Sequence, residues 1–263
     1  MVSILNVPLD ENSSFLKGCA KAPQKIIKAF YSSSSNEFSE NNINVHNANE
    51  INILDEINIP PGKAGMNKIH DAAFNEIKKN NKLVSIGGDH SITFPLIQAH
   101  AKKYNSLNIL HFDAHPDLYE NFDNNPFSHA SPFARIMENK LVKRLVQVGI
   151  RTLNTHQKEQ VKKFGIEVIE MKDFNLNLSF QFDGPIYISL DIDGLDPAYA
   201  PGVSHPEPGG LTTRNIINII HSLKGNVIGG DIVEYNPTND LNNITAITAA
   251  KLLKEMIGKI LKP

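Results

Sequence analysis

The sequence predicts a single three-layer α/β domain over residues 1–263, with a mostly parallel sheet and helices on both faces. Three observations carry that prediction. Four short apolar runs end abruptly in acidic or histidine residues, helix-patterned stretches lie between them, and no repeat or linker divides the chain. Continuous apolar runs bounded by turn residues suit strands covered on both faces, as parallel strands are. Their alternation with helices gives a doubly wound or similar sheet, whose ligand sites lie beyond the carboxyl ends of its strands.

The opening residues 1–7 lack the basic flank and long apolar region of a signal peptide and read as a strand. Residues 31–50 are rich in serine and asparagine, whose side chains compete for backbone hydrogen bonds, so a surface loop is expected. Residues 62–80 place Met66, Ile69, Ala73 and Ile77 on one helical stripe. The four apolar runs cover residues 82–90, 107–115, 185–193 and 226–234. A threonine cap opens a helix over 212–224 that carries Ile216, Ile217, Ile219, Ile220 and Leu223, and 243–262 reads as a long closing amphipathic helix.

Composition excludes several classes. With 26 basic and 28 acidic side chains there is no basic excess of the kind a nucleic-acid footprint needs. Apolar residues at 41% rule out disorder as the main state. No apolar run approaches the ~20 residues of a membrane span. The single cysteine, Cys19, has no internal disulfide partner and reads as a small buried apolar residue. A cytoplasmic location is the expectation that follows.

The acidic and histidine residues sit where a ligand site belongs. Residues i and i+2 of a strand point to the same side, so Asp113 pairs with His115 and Asp191 with Asp193. Asp117 can reach round from the turn after its strand, and His90 follows the Gly87-Gly88 turn at the end of another. Four carboxylates in one cleft repel by several kcal/mol per close pair, on the order expected at low effective dielectric, so cations must compensate. One divalent ion needs three or four such ligands, whereas six ligands with shared carboxylates suit two. Oxygen and imidazole donors without thiolate favour manganese, and less strongly iron, nickel or zinc.

Taken singly, each cluster has a plainer reading. An Asp-x-Asp at a strand end can be a turn or a helix cap. Residues 191–196 resemble a calcium loop, but the glycine comes too early and Gly202 stands where a bidentate glutamate belongs. His111 and His115 have the spacing of a zincin pair but lie on a strand, so His111 reads as a core histidine. Three clusters arising together by accident would need three coincidences, and the metal reading prevails.

Gly-Gly-Asp-His-Ser (87–91), Phe-Asp-Ala-His-Pro-Asp (112–117), Ser-Leu-Asp-Ile-Asp-Gly-Leu-Asp-Pro (189–197) and Gly-Asp-Ile-Val-Glu-Tyr-Asn-Pro (230–237) resemble the ureohydrolases, the family of arginases and agmatinases. The segment 18–23 is similar to the family's N-terminal helix start, and 200–210 to its loop after the metal ligands. The resemblance implies an arginase-like fold and a metal-dependent amidinohydrolase that frees urea and a primary amine. It implies two Mn2+ ions, one held by His90, Asp113, Asp117 and Asp191 and the other by Asp113, His115, Asp191 and Asp193, with Asp113 and Asp191 bridging. Such a pair acidifies water enough to attack the poorly electrophilic guanidinium carbon.

Asp117 resembles the residue that carries a proton to the departing amine. Glu234 resembles the carboxylate that holds the guanidinium, where two parallel oxygens suit a planar fork. His129 resembles the active-site histidine that shuttles protons or orients the substrate. Asp231 and His205 fall in supporting positions. The expected partner is a small guanidino substrate, with no nucleic acid or membrane, in a homo-oligomer (a trimer or hexamer by resemblance). Loops 118–128, 151–156 and 194–210 are the candidates for reading the substrate's tail, and Arg151 could meet a carboxylate or form a structural ion pair. The wording of 128–138 is similar to agmatinases and plant-type arginases, so agmatine is the expected substrate and arginine the alternative. A single-zinc deacetylase is the remote third reading.

Overall fold

Val2–Val7 (β1) forms six backbone pairings with Lys82–Gly87 (β3), and the short strand Ile51–Ile53 (β2) closes the sheet on the other side of β1. The computed structural model describes residues 1–47 and 49–262. The remaining strands are Asn108–Phe112 (β4), Arg144–Ile150 (β5), Glu167–Glu170 (β6), Gln181–Asp191 (β7) and Lys224–Val233 (β8). They order as β2-β1-β3-β8-β7-β4-β5-β6, and every neighbouring pair is parallel.

The four apolar runs are therefore the four adjacent central strands, β3, β8, β7 and β4. All four are buried along their pairing stretches, because helices cover both faces. One core cluster joins Val84, Ile86, Leu110 and Phe112 to helices Ala22–Phe30 (α1), Thr213–Ser222 (α6) and Ile244–Leu261 (α7). The other joins Leu83, Ile109, Leu145 and Tyr187 to Lys63–Ile77 (α2), Thr93–Ala101 (α3), Pro132–Glu138 (α4) and the partly buried face of Thr155–Phe164 (α5). Successive strand residues thus feed opposite layers, as a period of two requires.

The predicted helices form. The stripe Met66, Ile69, Ala73 and Ile77 is buried, and Thr212 closes a capping box with Asn215 at the start of α6. The closing helix α7 departs from the amphipathic expectation, since Lys254, Glu255 and Lys259 are buried along with its apolar residues. The serine-rich 31–50 segment is the reason. It folds over α7, placing Ser35 Oγ and the Asn36 carbonyl on Lys254 and the Glu40 N–H on the Glu255 carboxylate. Ser39 and Val45 are buried in the process, so this segment covers a helix instead of forming a wholly exposed loop.

Between β3 and β4 in the sheet lie β7 and β8, which come last in the chain. The connections after β3 and β4 leave the sheet with those two strands between them, and a cleft opens above the carboxyl ends. Gly88, just past β3, lets the N-terminal loop close one side of it: a Cβ there would lie 1.6 Å from the Leu9 carbonyl oxygen.

Candidate metal centre and substrate cleft

All eight predicted site residues meet at this end of the sheet. His90 opens a short 3-10 turn after β3, Asp113, His115 and Asp117 follow β4, Asp191 ends β7 with Asp193 in the 3-10 turn after it, and Glu234 follows β8. His129 comes from the loop before α4. Asp117 and Glu234 have φ of 50° and 62°, left-handed values that side-chain-bearing residues avoid. Such backbone strain persists only where the surroundings fix it, and it concentrates at functional sites.

Two ligand groups are in place. The side-chain donors of His90, Asp113, Asp117 and Asp191 lie within 4.8 Å of one another, and so do those of Asp113, His115 and Asp193. Asp113 belongs to both. Asp191 joins only the first, because its Oδ1 accepts the Asp193 backbone N–H at 2.8 Å.

The chemistry of His90 tests whether a cation fits. Ser189 Oγ has one proton, and it is 2.7 Å from Asp231 Oδ1, an acceptor. Ser189 Oγ therefore accepts from His90 Nε2–H at 3.1 Å. That leaves the Nδ1 lone pair of His90, buried and without a hydrogen-bond partner among the described residues, facing Asp117 and Asp191 oxygens at 3.0 Å and an Asp113 oxygen at 3.3 Å. A lone pair ringed by three carboxylates calls for positive charge at its centre. Burial alone would keep the ring neutral, but Asp113, Asp117 and Asp191 push its pKa well above the ordinary value. A divalent ion answers the same demand. Burial and the Asp113 charge raise Asp117 to about 7, and burial with Asp193 and Asp113 raises Asp191 well above the carboxylate range.

Asp231, expected in a supporting position, is fully buried and accepts from Thr93, Tyr187 and Ser189 hydroxyls at 2.7–2.8 Å. It orients His90 through Ser189.

Glu234 is anchored mainly through one oxygen. Its Oε1 accepts His129 Nδ1–H and the His90 backbone N–H, each at 2.8 Å, while Oε2 has Cys19 Sγ at 3.6 Å. Oε2, which carries only that weak thiol donor, is the oxygen most open to a guanidinium. Against the cost of burial, His129 holds the Glu234 carboxyl down at about 2. Against its own burial, Glu234 raises His129 to about 9, and the charged ring donates from Nδ1 to Glu234 and from Nε2 to Ser14 Oγ at 2.8 Å, so neither nitrogen is free and the ring serves to orient Glu234.

The cleft above the ligands is a cavity of about 210 Å³. Beside Asp117, His129 and Glu234 it is lined by Ser14, Tyr119, Phe122, Thr152, Gln157 and His205, so His205 stands on its wall. Of these, Tyr119, Phe122 and Thr152 come from loops 118–128 and 151–156, expected to read the tail, whereas Ser14 and Gln157 were not singled out in the sequence, where isolated hydroxyls and amides carry no spacing signal. Ser189 and His111 did have one, since each lies two residues before a ligand on its strand. Arg151 meets no carboxylate in the cleft. It donates instead to the backbone carbonyls of Gly149, Asp193, Gly194, Leu195 and Glu207, tying loop 194–210 to β5.

Fold and cleft together define an α/β protein whose clustered carboxylates and imidazoles at the strand ends could hold metal. Comparison with known proteins fixes the family. The "Arginase family" model matches residues 1–258, and the chain belongs to that family of metal-dependent amidinohydrolases acting on guanidino groups. The mitochondrial arginase of Medicago truncatula is 45% identical over 99% of this chain and 82% of its own. Mitochondrial arginase 1 of Arabidopsis thaliana is 43% identical, over 99% of this chain and 81% of that protein. N(1)-aminopropylagmatine ureohydrolase of Thermus thermophilus is 34% identical, over 98% and 89%. The solved Medicago arginase superposes with a TM-score of 0.93 at 42% identity, covering 98% of this chain and 87% of that one.

Two expectations change as a result. The plant relatives are named as organellar enzymes, which overturns the cytoplasmic location. Their identity also favours arginine over agmatine, reversing the preference drawn from residues 128–138.

Proposed function

We propose that the chain is an arginase, hydrolysing arginine to ornithine and urea at two Mn2+ ions. The plant arginases, 41–45% identical over nearly the whole chain against 34% for the aminopropylagmatine enzyme, carry this reading. The cleft supports it. Beyond the ligands and Glu234, its wall offers hydroxyls and an amide from Ser14, Tyr119, Thr152 and Gln157, neutral groups that suit a zwitterionic tail better than a lone ammonium.

His90, Asp113, Asp117 and Asp191 would hold one ion, and Asp113, His115 and Asp193 the other, with Asp191 joining if its carboxylate turns. When bound, the pair supplies the Lewis acidity that makes water a nucleophile near neutral pH. Glu234 Oε2 accepts from the guanidinium and aims its carbon at the ligand cluster. Asp117, which lines the cleft beside the ligand cluster, carries a proton to the departing amine nitrogen. His129 holds Glu234 in place. The whole chain acts as one ureohydrolase unit, in a trimer or hexamer.

The test is urea release by the manganese-loaded protein from arginine, agmatine and N-aminopropylagmatine. A kcat/KM for arginine at least tenfold above the others is expected, and a higher value for agmatine overturns the reading.

A further inference from the structure

His111 and Gln147 are paired residues on adjacent parallel strands, β4 and β5, so their side chains lie next to each other on one face. Gln147 Nε2 is 2.8 Å from the Pro116 carbonyl oxygen and 3.1 Å from His111 Nδ1. A carbonyl oxygen only accepts, which fixes the amide with its nitrogen towards Pro116. The two amide protons then have two acceptors, and Nδ1 of His111 must be one of them. The ring proton consequently sits on Nε2, which is 2.9 Å from Asp113 Oδ2.

The ring has no room to turn. It is fully buried, with the Phe133 ring centroid at 4.0 Å and that of His90 at 5.1 Å. Both lone-pair positions are accounted for, so His111 has no free donor for an ion even though it lies within reach of His90 and Asp113.

We propose that Gln147 and His111 form a positioning relay: the amide locks the imidazole as its Nε2–H tautomer, and the imidazole locks Asp113, the carboxylate shared by both ligand groups. The relay has a second arm. Through the Pro116 carbonyl, Gln147 also pins the residue before Asp117, whose left-handed backbone needs outside support. One amide therefore steadies two ligands. Gln147 Oε1 is left buried without a partner among the described residues, a cost the fold accepts where both amide protons are engaged.

The inference rests on Asp113 holding metal, and the test separates the two. Ring-nitrogen NMR of 15N-histidine-labelled, zinc-loaded protein is expected to show His111 neutral and protonated on Nε2. Protonation on Nδ1, or direct metal coordination, overturns the relay. Manganese titration then reads its effect. His111→Phe keeps the ring volume against Phe133 and removes the donor, and is expected to weaken manganese binding about 10–100-fold. Gln147→Leu, which touches no ligand, is expected to weaken it by a smaller factor, about 3–10-fold. Parent affinity in both variants overturns the relay and leaves the metal reading standing, whereas a parent chain that binds no manganese overturns the metal reading. Should His111→Phe fail to fold, Gln147→Leu and the parent's NMR signals decide.

Discussion

His129 Nδ1 and Glu234 Oε1 stand 2.8 Å apart, and the His90 backbone N–H reaches the same oxygen at 2.8 Å. Glu234 is therefore oriented by one oxygen and offers the other. Its charge is kept by His129, which outweighs the burial that would protonate it.

Glu234→Gln keeps the size of the side chain and removes the charge facing the guanidinium. Losing one partner of a buried charged pair costs about 3–4 kcal/mol, or roughly two to three decades in kcat/KM. Manganese content should stay at the parent level, because Glu234 belongs to neither ligand group. Urea release and metal analysis on one preparation check this. Near-normal turnover with full metal would remove Glu234 from the substrate's grip.

Ser189→Ala and Asp231→Asn act one step behind the ligands. Each disturbs the chain from Asp231 through Ser189 to His90 Nε2 that aims the Nδ1 lone pair at the carboxylates. Manganese affinity is expected to fall about 10-fold or more in both. Unchanged dissociation constants by titration would show that His90 is held by packing against Phe133 alone.

The parts of this site that a sequence displays are those with a period. Asp113 with His115 and Asp191 with Asp193 show a two-residue spacing that the sequence reads as strand, although only Asp191 is on one, and the runs before them are apolar because both sheet faces are covered. The same spacing held His111 and Ser189, but a buried histidine or serine is ordinary without the partner that gives it purpose. Gln147 and Asp231 lie 36 and 42 residues away from those partners, contacts that only the sheet order creates. Arg151 was legible as a charge but not as a clasp, since its partners are backbone carbonyls. The cover that residues 31–50 lay over α7 depends on buried Glu255 and Lys254, which helical periodicity treats as surface.

Arg151→Lys tests the clasp. A lysine ammonium cannot reproduce a planar fork that meets five carbonyl groups. A loss of about 2 kcal/mol is expected, or roughly 4–8 °C in Tm for a chain of this size. Thermal unfolding of the manganese-loaded variant measures it, and an unchanged Tm would show that loop 194–210 is secured by its own turns.

His100 is the remaining prediction, and it concerns acid stability. The residue is fully buried on α3, its Nδ1 meets the Leu96 carbonyl at 2.8 Å, and Nε2 has no partner among the described residues. The Tyr187 ring packs edge-on at 4.9 Å. Burial pushes the folded pKa down from 6.5 to about 4. Between those two values the unfolded chain binds a proton at this position and the folded chain does not, so stability falls as pH drops through that window. Above about 6.5 both states are neutral and the residue contributes no slope. At pH 4 the difference amounts to about 2–3 kcal/mol. His100→Phe keeps a ring against Tyr187 and cannot titrate. Its stability, whatever its absolute value, should decline less steeply than the parent's between pH 6.5 and 4, and the parent-minus-variant difference cancels the acid release of metal common to both. Urea unfolding at a series of pH values supplies the two curves. Parallel curves across the window would mean that the folded protein lets His100 take up its proton, and the buried neutral ring would have to be given up.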